Sequence, residues 1–211
     1  MDRVEAYQNF KDKLLSGHLA PGQFVTQKEL AKLAGVPLGA AREAIQKLES
    51  ENLLKVHPQR GIQITDLTTR FIREAFGLRL LFERAAIREF AEQGPMPAIE
   101  DLLRATEAVL AEVRLDLSEA NLSRAVEVDW RMHDVIIEAM GNELIRETYQ
   151  INATRIRLIR ANNRLTPDRV ITGLEEHVAM LGHCRDRNPD AAGKAMEAHI
   201  EISRNRALQG N

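Results

Sequence analysis

The sequence predicts a mainly helical protein with one β-hairpin close to its N-terminus and an all-helical remainder. Between residues 26 and 51, apolar residues recur at helical spacing on both sides of a Gly-Val-Pro break. Two short apolar runs separated by a turn follow over residues 53–64. From residue 68 onward the spacing is helical throughout, and an aromatic content of 4% with many Leu, Ile and Ala residues favours an antiparallel helical bundle.

Length and composition are those of a folded, soluble protein with room for one large or two modest domains. The 211 residues and the 44% hydrophobic content suffice for two cores, and we expect domains at residues 1–66 and 67–211 without a low-complexity linker. No apolar run approaches the roughly 20 residues that span a bilayer. The first residues lack a signal-peptide pattern, and the single cysteine, Cys184, fits a reducing compartment. We therefore expect a cytoplasmic protein with no membrane partner.

The first domain is predicted to begin with three helices. The first covers residues 4–15. Thr26 is the expected N-cap of the second helix, because Glu29 three residues later can complete a capping box. Gly35 and the proline that follows end this helix, since proline cannot continue the hydrogen-bond ladder. The third helix is predicted over about residues 38–51.

A hairpin completes this domain, with strands at about residues 53–56 and 62–64 joined by a His-Pro-Gln-Arg-Gly turn. Helix, turn, helix and hairpin form the plan of a winged helix-turn-helix, in which the second helix of the pair enters the DNA major groove. Long polar side chains on the helices and in the turn are candidate DNA contacts, and a glycine there can adopt unusual backbone angles. The candidate DNA-binding residues are Lys28, Arg42, Gln46, Lys47, Arg60 and Gly61.

The charge distribution has the sign that this interpretation requires, although the effect is small. The whole chain has a net charge of −2. Residues 1–65 carry nine Lys and Arg against seven Asp and Glu, whereas the remainder carries 20 against 24. The positive end of the chain is thus the end predicted to bind DNA.

The run from Leu14 to Ile64 resembles the DNA-binding domain of the GntR transcription regulators. It contains the elements G-x-L-x-P-G, E-L-A, R-E-A and R-G in the order and spacing of that family. The start of its recognition helix departs from the family, with Leu38 where a basic residue is usual. The resemblance implies a transcription regulator, more commonly a repressor. We expect a homodimer on a palindromic operator, because two-fold operators mirror two-fold proteins.

The second domain is predicted to contain six helices, because Gly and Pro residues interrupt an otherwise continuous helical spacing. The predicted helices cover residues 68–93, 97–114, 118–140, 142–164, 167–187 and 189–208.

Four residues of this domain could hold a metal ion. Asp129 and His133 are four residues apart on one predicted helix, so they project from one face. His177 and His199 lie on two later helices, and three helices of a bundle could direct all four side chains to one centre. A D-x₃-H pair alone is a weak signal. The alternative for each histidine is a partly buried ring satisfied by one hydrogen bond.

The stretch from Phe71 to Ala207 is similar to the FCD ligand-binding domain that follows the winged helix in FadR-type GntR regulators. The segments LRLLFERAA, DWRMHD, EHVAML and DAAGKAMEAHI carry this resemblance. It implies that Asp129, His133, His177 and His199 bind a divalent transition metal. Zinc is the first choice, and nickel, cobalt or manganese also suit these ligand types. Six helices rather than seven match the shorter, VanR-like form.

A small organic acid is the expected effector, because its carboxylate could take an open position on such a metal. Arg79 matches an FCD position that faces the ligand pocket in relatives. Asn152 and Arg155, on the helix after Gly141, are further candidates. The alternative for each arginine is an ion pair at the surface or between helices.

Three functions remain open at this point. Both resemblances favour a DNA-binding regulator, not an enzyme, whose operator binding responds to a small carboxylate at the metal site. A metal-dependent hydrolase could use the Asp-His₃ site to activate water, but the sequence has no H-E-x-x-H pattern. A protein that binds DNA without sequence preference would leave the second domain unexplained.

Overall fold

The computed structural model describes residues 3–163 and 166–210, and within them the fold is mainly helical, as predicted. Residues 1, 2 and 211 at the ends of the expected domains, and residues 164 and 165 near the end of one predicted helix, lie outside the described residues. The described elements are α1 Arg3–Leu15, β1 Phe24–Val25, α2 Gln27–Ala34, α3 Leu38–Ser50, β2 Leu54–His57, β3 Gly61–Ile64, α4 Thr69–Gln93, α5 Met96–Leu115, α6 Glu119–Glu138, α7 Glu143–Ala161, α8 Pro167–Arg185 and α9 Pro189–Gln209.

The N-terminal region forms the predicted helix-turn-helix. Thr26 Oγ1 accepts a hydrogen bond from the Glu29 backbone N–H, and the Glu29 carboxylate accepts one from the Thr26 N–H, so the capping box forms. Gly35 ends α2 with a φ of 68°, in the left-handed region that favours glycine. α1 packs over α2 and α3, and Phe10 and Leu48 are buried in the core that they share.

The sheet has three strands rather than the two expected from the sequence. β3 is the central strand and pairs antiparallel with both neighbours, with Leu54 of β2 opposite Ile64 and Val25 of β1 opposite Ile62. β1 contains only two residues, and so short a segment has no periodicity by which the sequence could reveal it.

Six described helices form the remainder, and their number and order agree with the prediction. α4, with 25 residues, packs along α9 and also contacts α6, α7 and α8. α6 ends at Glu138 rather than at residue 140, because the chain turns ahead of Gly141, which has a φ of 60°. Within this bundle, the buried charged and imidazole side chains lie on α4, α6, α8 and α9. Among the described residues, no helix is both long and apolar enough to cross a membrane.

The two regions touch at the C-terminal end of α3. Arg155 on α7 donates from Nε and Nη2 to the Glu51 carbonyl oxygen, at 3.1 and 2.8 Å. The buried Glu51 carboxylate accepts a hydrogen bond from Tyr7 Oη, which lies 2.7 and 2.9 Å from its two oxygens. The end of α3 is therefore held by side chains from both α1 and the bundle.

Candidate metal centre and DNA-binding surface

Four buried side chains from three helices converge inside the bundle. Asp129 and His133 lie one turn apart on α6, His177 lies on α8, and His199 lies on α9. One potential ligand atom of each lies within 4.8 Å of those of the other three. The fold thus brings together the four residues that were expected to bind a metal.

The donor atoms of this group suit a divalent transition metal. His177 Nε2 lies 3.4 Å from His199 Nε2 and 3.6 Å from Asp129 Oδ1. The centroids of the three imidazole rings are 4.7, 5.0 and 5.6 Å apart. Three imidazoles and one carboxylate are ligands that zinc and its neighbours accept. The residues present therefore fit a metal ion.

Two carboxylates lie behind the histidines. His199 Nδ1 donates to Glu176 Oε2 at 2.6 Å, which leaves the Nε2 lone pair of His199 free to face the other ligands. Glu83 Oε2 lies 2.8 Å from His133 Nδ1, although the two atoms are not aligned as a hydrogen bond. Carboxylate partners of this kind fix the orientation and tautomer of metal-binding histidines. His177 Nδ1 is buried and has no hydrogen-bond partner in the described part of the chain.

Arg79 and Glu83 form a buried ion pair against this group. Arg79 Nε donates to Glu83 Oε1 at 2.7 Å, and Tyr149 Oη donates to the same oxygen at 2.9 Å. Burial raises the pKa of Glu83, but Arg79 and His133 outweigh it and hold that pKa below its usual range. Arg79 Nη2 also donates to His133 Nε2 at 2.8 Å. This hydrogen bond uses the lone pair with which His133 Nε2 would bind a metal.

The surroundings keep Asp129 ionised and two of the histidines neutral. Burial opposes the ionised form of Asp129, but Arg160, whose Nη1 donates to Oδ2 at 2.5 Å, and the histidines hold its pKa far below the usual range. Burial lowers the pKa of His199 to about 4 and that of His177 well below the usual 6.5. Ionised carboxylates and neutral imidazoles are the forms that bind metals.

A cavity of about 100 Å³ opens beside two of the four residues, Asp129 and His199. Much of its wall is apolar, with Phe76 from α4 and Val170 and Leu174 from α8. Helices α6, α7 and α9 complete it. The arginines that line it are Arg160, Arg169 and Arg206.

Trp130, the single tryptophan of the chain, lies next to this centre. Its ring centroid is 6.4 Å from that of His133. The guanidinium carbons of Arg157 and Arg160, both on α7, each lie 4.7 Å from the tryptophan ring centroid, in cation–π contact. The fluorescence of Trp130 is therefore a local reporter of this site.

Two family descriptions together match most of the chain. Residues 3–64 match "Bacterial regulatory proteins, gntR family", and residues 74–202 match "FCD domain". The chain belongs to the GntR family of transcription regulators with an FCD domain. Both resemblances seen in the sequence are thus confirmed.

Individual relatives of this GntR/FCD chain agree with the assignment. The uncharacterized HTH-type transcriptional regulator YdhC of Bacillus subtilis (strain 168) is 24% identical over 200 residues, which are 93% of this chain and 87% of the relative. The HTH-type transcriptional repressor RspR of Escherichia coli (strain K12) is 23% identical over 200 residues, which are 93% of this chain and 85% of the relative. These relatives are named as transcription regulators, and the hydrolase alternative gains nothing from them.

Solved structures share the fold. A GntR transcriptional regulator from Rhodococcus sp. RHA1 superposes with a TM-score of 0.78 at 17% identity, covering 98% of this chain and 97% of that chain. The Zn²⁺-bound FCD domain of TM0439 superposes with a TM-score of 0.51 at 19% identity, over 67% of this chain and 94% of that chain.

The expected DNA-binding residues of the GntR domain lie on its surface. Arg42 and Gln46 are exposed one turn apart on α3, and Lys28 is exposed on α2. Lys47 is exposed too, but its ammonium lies 4.1 Å from the ring centroid of Tyr7 on α1. Lys47 is therefore engaged with α1, and Arg42 and Gln46 form the freer face of α3.

The turn between β2 and β3, which form the wing of the winged helix, depends on Gly61. Its φ is 99°, and a Cβ at this position would lie only 2.9 Å from the Val25 carbonyl oxygen of β1. The expectation that this turn needs the backbone angles of glycine is confirmed. Arg60 beside it is exposed, with its guanidinium carbon 5.8 Å from the ring centroid of Phe24. Contact of either residue with DNA stays a prediction.

Of the three expected effector residues, only Arg79 adjoins the metal centre. Asn152 instead donates from Nδ2 to the Ala75 carbonyl oxygen at 2.9 Å, which ties α7 to α4. Arg155 contacts the Glu51 carbonyl at the junction of the two regions. The rotation of α7 about its axis turns these two residues toward α4 and α3, and neither lines the cavity described above. Their contact with an effector stays a prediction.

The sequence analysis missed the residues that surround the ligands. Glu83 follows Arg79 by one helical turn, which was a usable signal for an ion pair. Glu176 directly precedes His177, but nothing in the sequence shows that it reaches the histidine of α9. Arg160 carried no signal at all, because its partner is 31 residues away on another helix.

Proposed function

We propose that this protein is a sequence-specific transcription repressor whose operator binding is controlled by a small organic acid at a divalent-metal site in the FCD domain. The DNA-binding domain would comprise residues 1–66 and the metal- and effector-binding domain residues 67–211. The observation that carries the proposal is the buried group formed by Asp129 and three histidines, placed beside a cavity that arginines line.

Zinc is the metal that we propose first, with nickel, cobalt and manganese as alternatives of the same ligand preference. Asp129, His133, His177 and His199 would hold it. The Zn²⁺-bound FCD domain of TM0439, which has the same fold, supports this choice. A bound ion would supply a positive charge and an open coordination position for an anionic ligand.

Arg79 is the residue that we expect to contact the effector beside the metal. Its Nη2 now donates to His133 Nε2, so this N–H needs another acceptor once His133 binds a metal. An effector carboxylate is a strong acceptor, because hydrogen bonds between ionised partners are short and about twice as strong as neutral ones. The burial of Arg79 makes an unpaired donor costly and strengthens this expectation.

We expect α3 and the wing to contact the operator DNA. Arg42 lies in the first half of α3 and is exposed, as the base-contacting part of a recognition helix must be. A single short half-site gives modest affinity, and two linked copies of the domain raise it. We therefore propose a homodimer on a palindromic operator. Sedimentation of the complex is expected to show two chains per operator, and one chain per operator would contradict the proposal.

Helix α7 is the connection through which effector binding would reach the DNA-binding domain. Arg160 contacts the metal ligand Asp129, and Arg155, five residues earlier on the same helix, holds the Glu51 carbonyl at the end of α3. A shift of α7 on ligand binding would therefore displace the end of the recognition helix.

Elemental analysis after zinc loading and removal of excess metal tests the metal site. The wild-type protein is expected to keep a stoichiometric amount of zinc, and His133→Ala to lose most of it. His183→Ala is the matched control, because His183 lies on α8 outside the four-residue group.

A thermal-shift screen of organic acids on zinc-loaded protein then identifies effectors, since binding to the folded state alone raises Tm. Operator release by such an acid from metal-free protein would overturn the proposal.

Operator titrations with Arg42→Ala test the DNA-binding half. The loss is expected to be about 1–3 kcal/mol if Arg42 reads a guanine. If Arg42 contacts only phosphate, the loss is uniform across sequences and the salt dependence becomes shallower. Arg104→Ala on α5 removes the same charge from an exposed position in the bundle and serves as control. Unchanged affinity in Arg42→Ala would exclude the residue from the interface.

A further inference from the structure

The cavity beside the four-residue group has an inner end at two members of that group and an outer end at an arginine. Its inner end reaches Asp129 and His199, where the proposed function places the metal and one effector carboxylate. Its outer end is formed by Arg206 on α9, which is exposed to solvent. The effector site is therefore larger than the coordination position on the metal.

Arg206 differs from the other two arginines of the cavity in its partners. Arg160 pairs with Asp129 at 2.5 Å, and Arg169 pairs with Glu176 through hydrogen bonds of 2.8 and 3.0 Å. In the described part of the chain, no carboxylate pairs with the Arg206 guanidinium. Of the three arginines that line the cavity, Arg206 is therefore the one whose positive charge a ligand could neutralise.

Helix geometry sets the distance between Arg206 and the inner end of the cavity. It follows His199 by seven residues, which is two turns or about 10.5 Å along α9. A spacing of seven residues places both side chains on one face of α9, and the long side chain of Arg206 can span part of that separation. Ser203, between them, also lines the cavity.

The wall between the two ends of the cavity is largely apolar. Phe76, Val126, Val170 and Leu174 line it from α4, α6 and α8, and Ala207 lines it next to Arg206. Such a wall suits a chain of methylene groups rather than a sugar, because the hydroxyl groups of a sugar would lose their hydrogen bonds to water there.

We propose that the effector is a dicarboxylate with a short apolar spacer, and that Arg206 binds its second carboxylate. This inference rests on the proposed function, because it assumes that the first carboxylate lies at the metal centre. A monocarboxylate of the same length leaves Arg206 without its partner. Since Arg206 is solvent-exposed, the second contact should raise affinity by about two- to fivefold rather than by orders of magnitude.

Isothermal titration calorimetry on zinc-loaded protein tests this, with Trp130 fluorescence as a second readout. Glutarate and adipate are compared with pentanoate and hexanoate, which have the same chain lengths and one carboxylate fewer. The wild-type protein is expected to bind the better dicarboxylate about two- to fivefold more tightly than its monocarboxylate. Arg206→Gln should remove this preference while elemental analysis still finds the wild-type amount of zinc. Arg204→Gln, on the same helix but outside the cavity lining, should keep the preference.

The outcomes separate this inference from the proposed function. Equal binding of the two acid classes to the wild-type protein, or a preference that survives in Arg206→Gln, would overturn the role of Arg206 and leave the metal-linked effector site standing. If zinc binds but no acid of either class does, the carboxylate effector site fails, and the inference fails with it.

Discussion

Arg79 and Glu83 are buried charged residues of the bundle, and each is stabilised by the other and by further hydrogen bonds. Both are almost inaccessible to water, at 1% and 0% exposure, and an isolated charge there would be very costly. Glu83 accepts hydrogen bonds from Arg79 and Tyr149, and Arg79 donates in addition to His133. Such a network is stabilising only while it is complete, because a lone buried charge costs several kcal/mol.

Gly61 offers a test of local backbone geometry at the same scale. Gly61→Ala should destabilise the GntR domain by about 1–3 kcal/mol, since the φ of 99° is strained for alanine and its Cβ would approach the Val25 carbonyl. Gly77→Ala in α4 is the control: nothing lies within 4 Å of a Cβ there, and alanine favours a helix by about 1 kcal/mol. Urea unfolding measures both. Equal stability of Gly61→Ala and the wild type would contradict the strain.

The buried histidines predict a pH dependence of stability for the metal-free protein. His199 and His177 have pKa values lowered by burial, to about 4 and well below 6.5, so the unfolded chain binds more protons than the folded one once pH falls below about 6.5. The free energy of unfolding should therefore decrease from pH 6.5 toward pH 4. Asp129, with its pKa far below the usual range, stays ionised throughout this window.

Denaturant unfolding of chelator-treated protein at pH 7.5, 6 and 5 measures this dependence. His199→Gln should show a shallower decrease than the wild type, because one of the two histidines no longer titrates. A wild-type stability that is constant or rises as pH falls through this range would show that the histidines are not held neutral by the fold.

At the scale of elements, α7 makes side-chain hydrogen bonds to α4, α6 and the end of α3. Asn152 ties it to α4, Arg160 to α6 and Arg155 to the end of α3. Because these residues share one rigid helix, the position of α7 affects the cavity and the DNA-binding domain together.

The N-terminus of α7 provides a test of how this helix is anchored. Asn142 Oδ1 accepts hydrogen bonds from the backbone N–H groups of Leu144 and Ile145, at 3.1 and 3.2 Å. Asn142→Ala should therefore cost about 0.5–2 kcal/mol of unfolding free energy. Ser118→Ala is the control, because Ser118 precedes α6 without a side-chain capping hydrogen bond and its loss should be small. Thermal and urea unfolding compare the two, and similar losses would contradict the capping role.

At the scale of the whole molecule, the contact between Arg155 and Glu51 decides whether the two domains communicate as we propose. Arg155→Gln should leave zinc binding unchanged, since the residue lies outside the metal group. The ratio of operator affinities without and with effector, typically about 5–150-fold in allosteric proteins, should fall toward one.

Arg185→Gln on α8 is the control for the loss of one arginine, because Asp186, its exposed neighbour, is the one carboxylate that pairs with Arg185 among the described residues. Fluorescence anisotropy on operator DNA, with an acid identified by the thermal-shift screen, gives the ratio. A full effector response in Arg155→Gln would exclude this contact as the route between the domains.

The amino-acid sequence was enough to predict the order of the helices and of the β2–β3 hairpin, and to place Asp129 and His133 on one helix face. Capping residues, the Gly-Val-Pro break and the Gly and Pro residues of the bundle fix where helices begin and end, because these signals act within a few residues of the chain. The i, i+4 spacing of Asp129 and His133 is likewise local, since one helix places both on one face. The two later histidines were added by family resemblance, not by spacing alone.

Which helix faces meet could not be predicted from local sequence signals and is seen in the folded structure alone. Glu176 behind His199, Arg79 on His133 Nε2 and Arg155 on the Glu51 carbonyl each join residues on different helices. Such contacts depend on how each helix is rotated about its axis and how pairs of helices cross, and side-chain packing across the whole core sets both. The two-residue β1 pairs for the same reason: β3 offers a free edge to a segment whose own sequence carries no strand signal.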